Sequence, residues 1–241
     1  MEIPILYEDE YVVVINKPFG VITHPDGHSQ AETISDWFGK KYPQSVNVGE
    51  PMQLVSGETI MRPGIVHRLD AETTGVLILA KTDVVHAFLK HTFQEHQIKK
   101  TYLAFVYGIL KEDKGIIDYL IGRSRKDFRL RSAQRKAKGT LRDAITRWEK
   151  IANTKEHSFV RIMPETGRTH QIRVHFKAIH HPIVCDKLYA PKHPCDLGLS
   201  HLGLHAYRII LPLPSGKEVA VIAPPPEDFM KAVNFFPGAT L

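Results

Sequence analysis

A carboxylate in a loop braced by a buried strand can act as a general base or a nucleophile, and Asp70 has that setting. It stands in His67-Arg68-Leu69-Asp70-Ala71-Glu72-Thr73-Thr74-Gly75, two residues after an arginine and just before a Thr-Thr-Gly turn. The apolar run Val76 to Ala80 follows at once. A strand there would hold the loop still, as a catalytic group requires. A solitary aspartate more often only shapes a turn. Asp70 is therefore a candidate because of the string around it.

The second concentration of chemistry is charge. From Gly122 to Arg147 the chain carries Arg123, Arg125, Lys126, Arg129, Arg131, Arg135, Lys136, Lys138, Arg142 and Arg147. Only Asp127 and Asp143 oppose them, and Phe128 and Trp148 lie close by. Such a stretch repels itself unless solvent or a polyanion screens it. Phosphate contacts would give it salt-dependent, sequence-independent affinity for nucleic acid. A solvated loop is the plain alternative. The formal net charge of +6 and pI near 9.2 agree with an anionic partner without requiring one.

Other chemistries lack their signatures. No phosphate-binding G-x-x-x-x-G-K-[ST], dinucleotide G-x-G-x-x-G or zincin H-E-x-x-H occurs, nor a Ser-centred nucleophile elbow. His180, His181, Cys185, His193, Cys195, His201 and His205 are metal-competent types, but no C-x-x-C pair anchors them. No metal and no cofactor is expected. Two cysteines are too few for a disulfide framework, so a reducing cytoplasm is the expected compartment.

The elements that must position these groups are mixed. Tyr11–Ile15 reads as a strand, Asn16 to Gly20 as a turn, and Val21-Ile22 as the strand resumed. Residues 31 to 42 suit a short helix, and 43 to 64 read as a long loop. Asp83 is a candidate N-cap for a helix with Val85, Phe88, Leu89, Thr92 and Phe93 on one face. Thr101 to Leu110 alternates, with Tyr102, Ala104 and Val106 sharing a side, and Phe159 to Met163 is a further strand. Thr166-Gly167-Arg168-Thr169 opens a helix striped by Ile172, Phe176 and Ile179 and ended by His181-Pro182. Leu204 to Leu211 and Val219 to Ala223 are late strands around the turn at Pro214 to Lys217. A short helix follows Pro224-Pro225-Pro226. Without regular βαβ alternation the class is α+β. The 241 residues, 43% hydrophobic and 24% charged, suit an ordinary soluble globular protein. No basic-then-apolar leader opens the chain, and the apolar runs are far too short to span a bilayer.

Taken together, the motifs resemble the RluA-type pseudouridine synthases. Gly64 to Asp70 with Thr73-Thr74-Gly75 and Ala80-Lys81-Thr82 resembles the catalytic motif of that family. Ile5 to Asp9, Asn16-Lys17-Pro18-Phe19-Gly20 and His24-Pro25 resemble its opening, and Lys99-Lys100-Thr101-Tyr102 its second motif. Thr166 to His175 resembles the third, and His181-Pro182-Ile183 and Leu204-His205-Ala206 resemble later ones. Thr74 departs from the serine common in relatives but keeps the hydroxyl. The loop between His24 and His67 is longer than in compact relatives. The small N-terminal RNA-binding domain of many relatives is expected to be missing, leaving one catalytic domain over 1–241.

The resemblance implies a long, mixed, largely antiparallel sheet with flanking helices around a central catalytic cleft. It implies isomerisation of specific uridines in ribosomal or transfer RNA, without redox change or energy input. A stacked uridine must be flipped out to react. Asp70 is the implied essential carboxylate, acting covalently or as a base. Arg173 is implied to pair with it and keep it charged. Tyr102 is implied to stack on the base and relay the proton leaving C5. Arg68 is implied to enter the space left by the base and Leu204 to pack on the uracil. His67 and the basic residues Arg125, Lys126, Arg129 and Arg131 are the remaining candidates for binding RNA. No membrane and no protein partner are expected, and the protein is expected to be a monomer. Two alternatives stay open: an RNA-binding protein without catalysis, and a metal-dependent hydrolase using the C-terminal His and Cys residues.

Overall fold

The computed structural model describes residues 1–25, 31–53, 57–125, 127, 130–133 and 137–241. In chain order the elements are β1 (Ile5–Glu8), β2 (Val12–Lys17), α1 (Ile34–Lys41), β3 (Met52–Gln53), β4 (Thr59–Ile60), β5 (Thr74–Ala80), α2 (Asp83–Gln94), β6 (Lys99–Tyr107) and β7 (Lys114–Asp118). There follow β8 (Ile121–Arg123), β9 (Arg131–Ser132), β10 (Lys138–Arg142), β11 (Ile145–Asn153), β12 (His157–Pro164), α3 (Gln171–Ala178), β13 (Leu204–Pro212), β14 (Glu218–Ile222) and α4 (Glu227–Val233). The chain divides into two units, one of Met1–Lys99 with Ala206–Pro224, the other of Lys100–His205 with Pro225–Leu241. Both mix strands and helices, so the class is α+β.

In the first unit β2 pairs antiparallel with β1 and β5, and β14 pairs antiparallel with β13. Every residue of β5 is buried, which is why its sequence is continuously apolar instead of alternating. Val76, Ile78 and Ala80 pack with Val12, Val14, Val85, Leu89 and Ile209 in one core. The stripe expected on α2 therefore faces that core.

Three local expectations are corrected here. The strand does not resume at Val21-Ile22. Pro18 cannot extend a ladder, and the carbonyls of Pro18 and Val21 accept hydrogen bonds from Lys17 Nζ while that of Ile22 accepts one from Ile34 N–H. The hairpin partner of β2 is the upstream β1, joined by a turn in which Asp9 accepts the N–H groups of Tyr11 and Val12 at 2.8 Å each. The N-cap of α2 is Thr82, whose hydroxyl accepts from Val85 N–H. The Asp83 carboxylate accepts from Gly49 N–H at 2.9 Å. Within 43–64 a short turn of 3-10 helix, Pro43–Ser45, and the two-residue strands β3 and β4 replace an unstructured loop.

In the second unit β6, β12, β11 and β7 form successive antiparallel pairs. Their core joins Ala104 and Val106 of β6 to Trp148, Val160, Ile162, Ile172, Phe176 and Leu204, with Tyr102 and Ile179 partly buried against it. The basic stretch is also structured. It forms a three-stranded sheet in the order β10-β8-β9, and β11 begins near its end. Charge density hid these strands, because their apolar positions are few. Cys185 and Cys195 form one disulfide, where the count of two led to none being expected. Among the described residues no helix is long and apolar enough to cross a membrane.

Candidate active site

In the first unit the Asp70 loop is pinned at almost every residue. Thr23 is buried; its hydroxyl donates to Leu69 O at 2.8 Å and accepts from Leu69 N–H at 3.3 Å. Gly20 N–H donates to Ala71 O at 2.8 Å, and Thr73 N–H closes a turn on Asp70 O at 3.0 Å. Gly75, at φ +113°, ends the loop. A Cβ there would lie 2.2 Å from Ala206 O, so the position admits only glycine.

Lys17 is the deepest anchor. Its side chain is wholly buried, and Nζ donates to Pro18 O, Val21 O and Ala71 O at 2.9, 2.8 and 3.1 Å. Burial pushes its pKa down to about 7, against the upward pull of the Asp70 carboxylate. The partly buried Asp70 thus lies within the field of an ammonium group beneath its own loop. In the sequence Lys17 belongs to a turn and to the motif resembling the family's opening, with no role expected for it at the site. The signal was a lysine closing the apolar run Val12 to Ile15.

Arg68 is exposed, and its Nη1 donates to His24 Nε2 at 3.2 Å. His24 Nδ1–H in turn reaches Pro25 O at 3.0 Å, which fits the neutral Nδ1–H tautomer. His67 works inward. Its Nε2 accepts from Ile78 N–H at 2.9 Å and its ring stacks on Phe93 at 4.7 Å. That commitment makes His67 a brace between loop and strand.

In the second unit Tyr102 lies on β6 opposite Ile162, two residues after Lys100, which burial pushes down to about 8. Leu204 is 3% exposed within the core, so core packing accounts for it. Arg173 is 1% exposed. Its Nε and Nη2 grip the two oxygens of Asp186 at 2.8 and 2.7 Å. Asp186 also accepts from Leu188 N–H and Tyr189 N–H at 3.0 and 2.9 Å, and the Arg173 guanidinium sits 5.3 Å from the Tyr189 ring. The motif around Arg173 builds its helix. Gln171 accepts from the Thr166 hydroxyl and Arg168 N–H, and donates to Ile145 O and Thr146 Oγ1. His175 is buried, its Nδ1 on the Thr146 hydroxyl and Nε2 on Tyr119 O; burial pushes its pKa down.

Tyr189 extends this cluster toward the basic sheet: its hydroxyl meets His170 Nδ1 at 2.8 Å and accepts from Arg131 N–H at 2.9 Å. Arg131 stands directly opposite Arg123, and Arg125 is exposed. Lys126 and Arg129 lie outside the described residues. Asp186 and Tyr189 were missed in the sequence because nothing in a lone Asp-Lys-Leu-Tyr marks a partner thirteen residues upstream. The metal-competent C-terminal residues are dispersed, with the cysteines bonded to each other and His201 beside Asp228. Among the described residues, the donor atoms of Glu156, His157 and Asp196 do lie within 4.8 Å of one another, two of the three residues being exposed.

The profile of the RNA pseudouridylate synthase family matches residues 11–178. The chain is 36% identical over 232 residues to an uncharacterized RNA pseudouridine synthase of Synechocystis, covering 96% of this chain and 68% of that protein. It is 36% identical to a ribosomal large subunit pseudouridine synthase D of Neisseria meningitidis, covering 95% of this chain and 59% of that protein. Among solved structures, human RNA pseudouridylate synthase domain containing 4 matches with a TM-score of 0.72 at 26% identity, over 96% of this chain and 92% of that one.

Two outcomes are expected. Arg173→Ala leaves the Asp186 carboxylate buried without its cation and costs about 3–5 kcal/mol; Arg173→Lys recovers only part, since the grip is a two-pronged fork. Urea unfolding checks both. Lys17 binds its proton less tightly folded than unfolded, so from about pH 7 toward 10.5 the unfolded chain holds more protons. Its contribution to stability therefore rises with pH through that window. Between pH 7 and 9 the wild type should gain about 2–3 kcal/mol relative to Lys17→Met; parallel urea midpoints would contradict this.

Proposed function

Because the chain belongs to the RNA pseudouridylate synthase family, we propose that it isomerises specific uridines in ribosomal RNA, with Asp70 as the essential carboxylate. The observation that carries the reading is the pinned Asp70 loop. A carboxylate whose flanking backbone at Leu69 and Ala71 is held by Lys17, Thr23 and Gly20 sits on a loop that is set before substrate arrives, and pre-set charge is the form of catalysis that costs no reorganisation. Ribosomal RNA is preferred over transfer RNA because the Neisseria relative is named for the large ribosomal subunit.

The target uridine is flipped from its stack into the site. Arg68, exposed two residues before Asp70, fills the space it leaves. Asp70 acts on the ribose, either by attack at C1′ or by taking a ribose proton, and the bond from C1′ to N1 breaks. The freed uracil turns and C5 bonds to C1′, breaking the Asp70–C1′ ester on the first route or accompanied by return of the ribose proton from Asp70 on the second; the C5 proton departs while N1 gains one, so the product is an isomer and the carboxylate is regenerated. Tyr102 stacks on the base and relays the C5 proton. Arg173 is the counter-charge proposed for Asp70. Its anchoring by Asp186 supports this role, because a guanidinium with a fixed orientation can meet a carboxylate without ordering cost.

The sheet β10-β8-β9 binds the RNA backbone. Like charges directly opposite one another, as at Arg123 and Arg131, repel until phosphates separate them. Arg125 adds an exposed charge nearby.

Asp70→Asn should abolish pseudouridine formation while RNA binding survives. Pseudouridine mapping of total RNA from cells with and without the gene, complemented by each form, names the position; retained conversion by Asp70→Asn would overturn the mechanism. Replacing Arg123 and Arg125 by Gln should make the slope of log affinity against log salt shallower by about 2, and an identical salt titration would remove this sheet from the interface.

A further inference from the structure

Within the first unit, the segment Arg62 to Arg68 and helix α2 line a cavity of about 240 Å³. Among the described residues, Arg62, Arg68 and Lys90 contribute three cations to its lining, and Glu50 is the one carboxylate. Glu50 is paired with Lys90. Among the described residues, no other carboxylate lines the cavity against the two guanidinium groups. Arg68 reaches His24, and His86 Nε2–H is spent on Ile65 O at 3.1 Å. Among the described residues, Arg62 Nε is buried and has no hydrogen-bond partner. Burial and the charge of Arg68 both push Arg62 toward its neutral form, and Glu50 alone opposes them.

A buried guanidinium donor with no acceptor, beside a like charge, is unfavourable in isolation. An anion with several oxygens resolves both problems at once, because it accepts from planar forks and separates the charges. We propose that this cavity binds a phosphodiester of the substrate RNA, with Arg62 as its donor and Lys90 at its rim. The proposal rests on the RNA-modifying reading above and adds a binding site to it. Arg68 lies two residues from Asp70, so the phosphate held here belongs to a nucleotide close to the one being modified. Arg62 then helps fix which uridine reaches Asp70, without touching the reacting atoms. A neutral base would leave the two guanidinium groups opposed, so the phosphate is the better occupant.

The test measures RNA affinity across salt, together with turnover, for wild type, Arg62→Gln, Arg62→Lys and Lys90→Gln. The RNA is the one that wild type modifies, or, if none is modified, a fragment of ribosomal RNA that it binds. Arg62→Gln should bind about tenfold more weakly at physiological salt, with a slope shallower by about 1, and unchanged kcat at saturating RNA. Arg62→Lys should recover the slope but not the full affinity, a split that simple misfolding does not produce. Lys90→Gln changes a partly exposed side chain and should show a smaller shift of the same sign. Unchanged affinity and slope in Arg62→Gln would overturn the proposal. Inorganic phosphate titrated at constant ionic strength should displace RNA from wild type more readily than from Arg62→Gln. Phosphate binding that depends on Arg62, with RNA affinity indifferent to it, would assign the cavity to a free anion and overturn the proposal too. The binding arm stands apart from turnover. Absent conversion by wild type defeats the enzymatic reading, whereas normal conversion with indistinguishable variants defeats only this inference.

Discussion

A buried ammonium group sets the shape of the Asp70 loop. Lys17 ends β2 in register with Gly75 at the start of β5, so the strand ladder itself carries the lysine to the base of the loop. There Nζ collects the carbonyls of Pro18, Val21 and Ala71, the last of which also accepts from Gly20 N–H. The cost is a charge removed from water, reflected in a pKa near 7. The Asp70 carboxylate offsets part of that cost. One side chain thus ties the backbone of the loop to a buried charge beneath it.

The second unit handles charge in the same way. Arg173 is nearly inaccessible, and Asp186 meets it with two oxygens while also accepting two backbone N–H groups. A buried pair so fully hydrogen-bonded is weak evidence for stability and better evidence for a fixed orientation. The disulfide closes the chain immediately before Asp186, so the segment carrying the carboxylate is tethered at its start. Gln171 and His175, on the same helix as Arg173, spend their polar atoms on Ile145, Thr146 and Tyr119. The conspicuous polar motif from Thr166 to His175 is for the most part the scaffold of one arginine.

Other cations of the protein crowd one another. Arg123 faces Arg131 across a short sheet, and Arg62 lies within the field of Arg68 beside a cavity. Neither arrangement favours the protein alone. Both become favourable when a polyanion supplies the missing counter-charge, and a phosphate chain can do so at several points. On the proposed reading, repulsion among these cations in the free protein is relieved when RNA binds.

Periodicity made much of the fold legible. The stripes Val85-Leu89-Thr92 and Ile172-Phe176-Ile179 and the alternation through Tyr102, Ala104 and Val106 each became the element expected, because burial of one face depends on neighbours a few residues away. The motif around Asp70 was likewise local and readable. The hairpin of β1 with β2, the strands inside the basic stretch, the Thr82 cap and the disulfide were not. Each depended on which competing partner won: Asp9 for the turn, Gly49 for Asp83, one cysteine for the other. The supports of the site were the least visible. Lys17 reaches Ala71 across 54 residues, Thr23 reaches Leu69 across 46, and Asp186 and Tyr189 close on Arg173 from beyond its helix. The sequence alone determined which side chains could do the chemistry, since reactivity is a property of residue type and local order. Only the tertiary structure decided how they are held and charged, since hydrogen bonds and burial join residues that the chain keeps far apart.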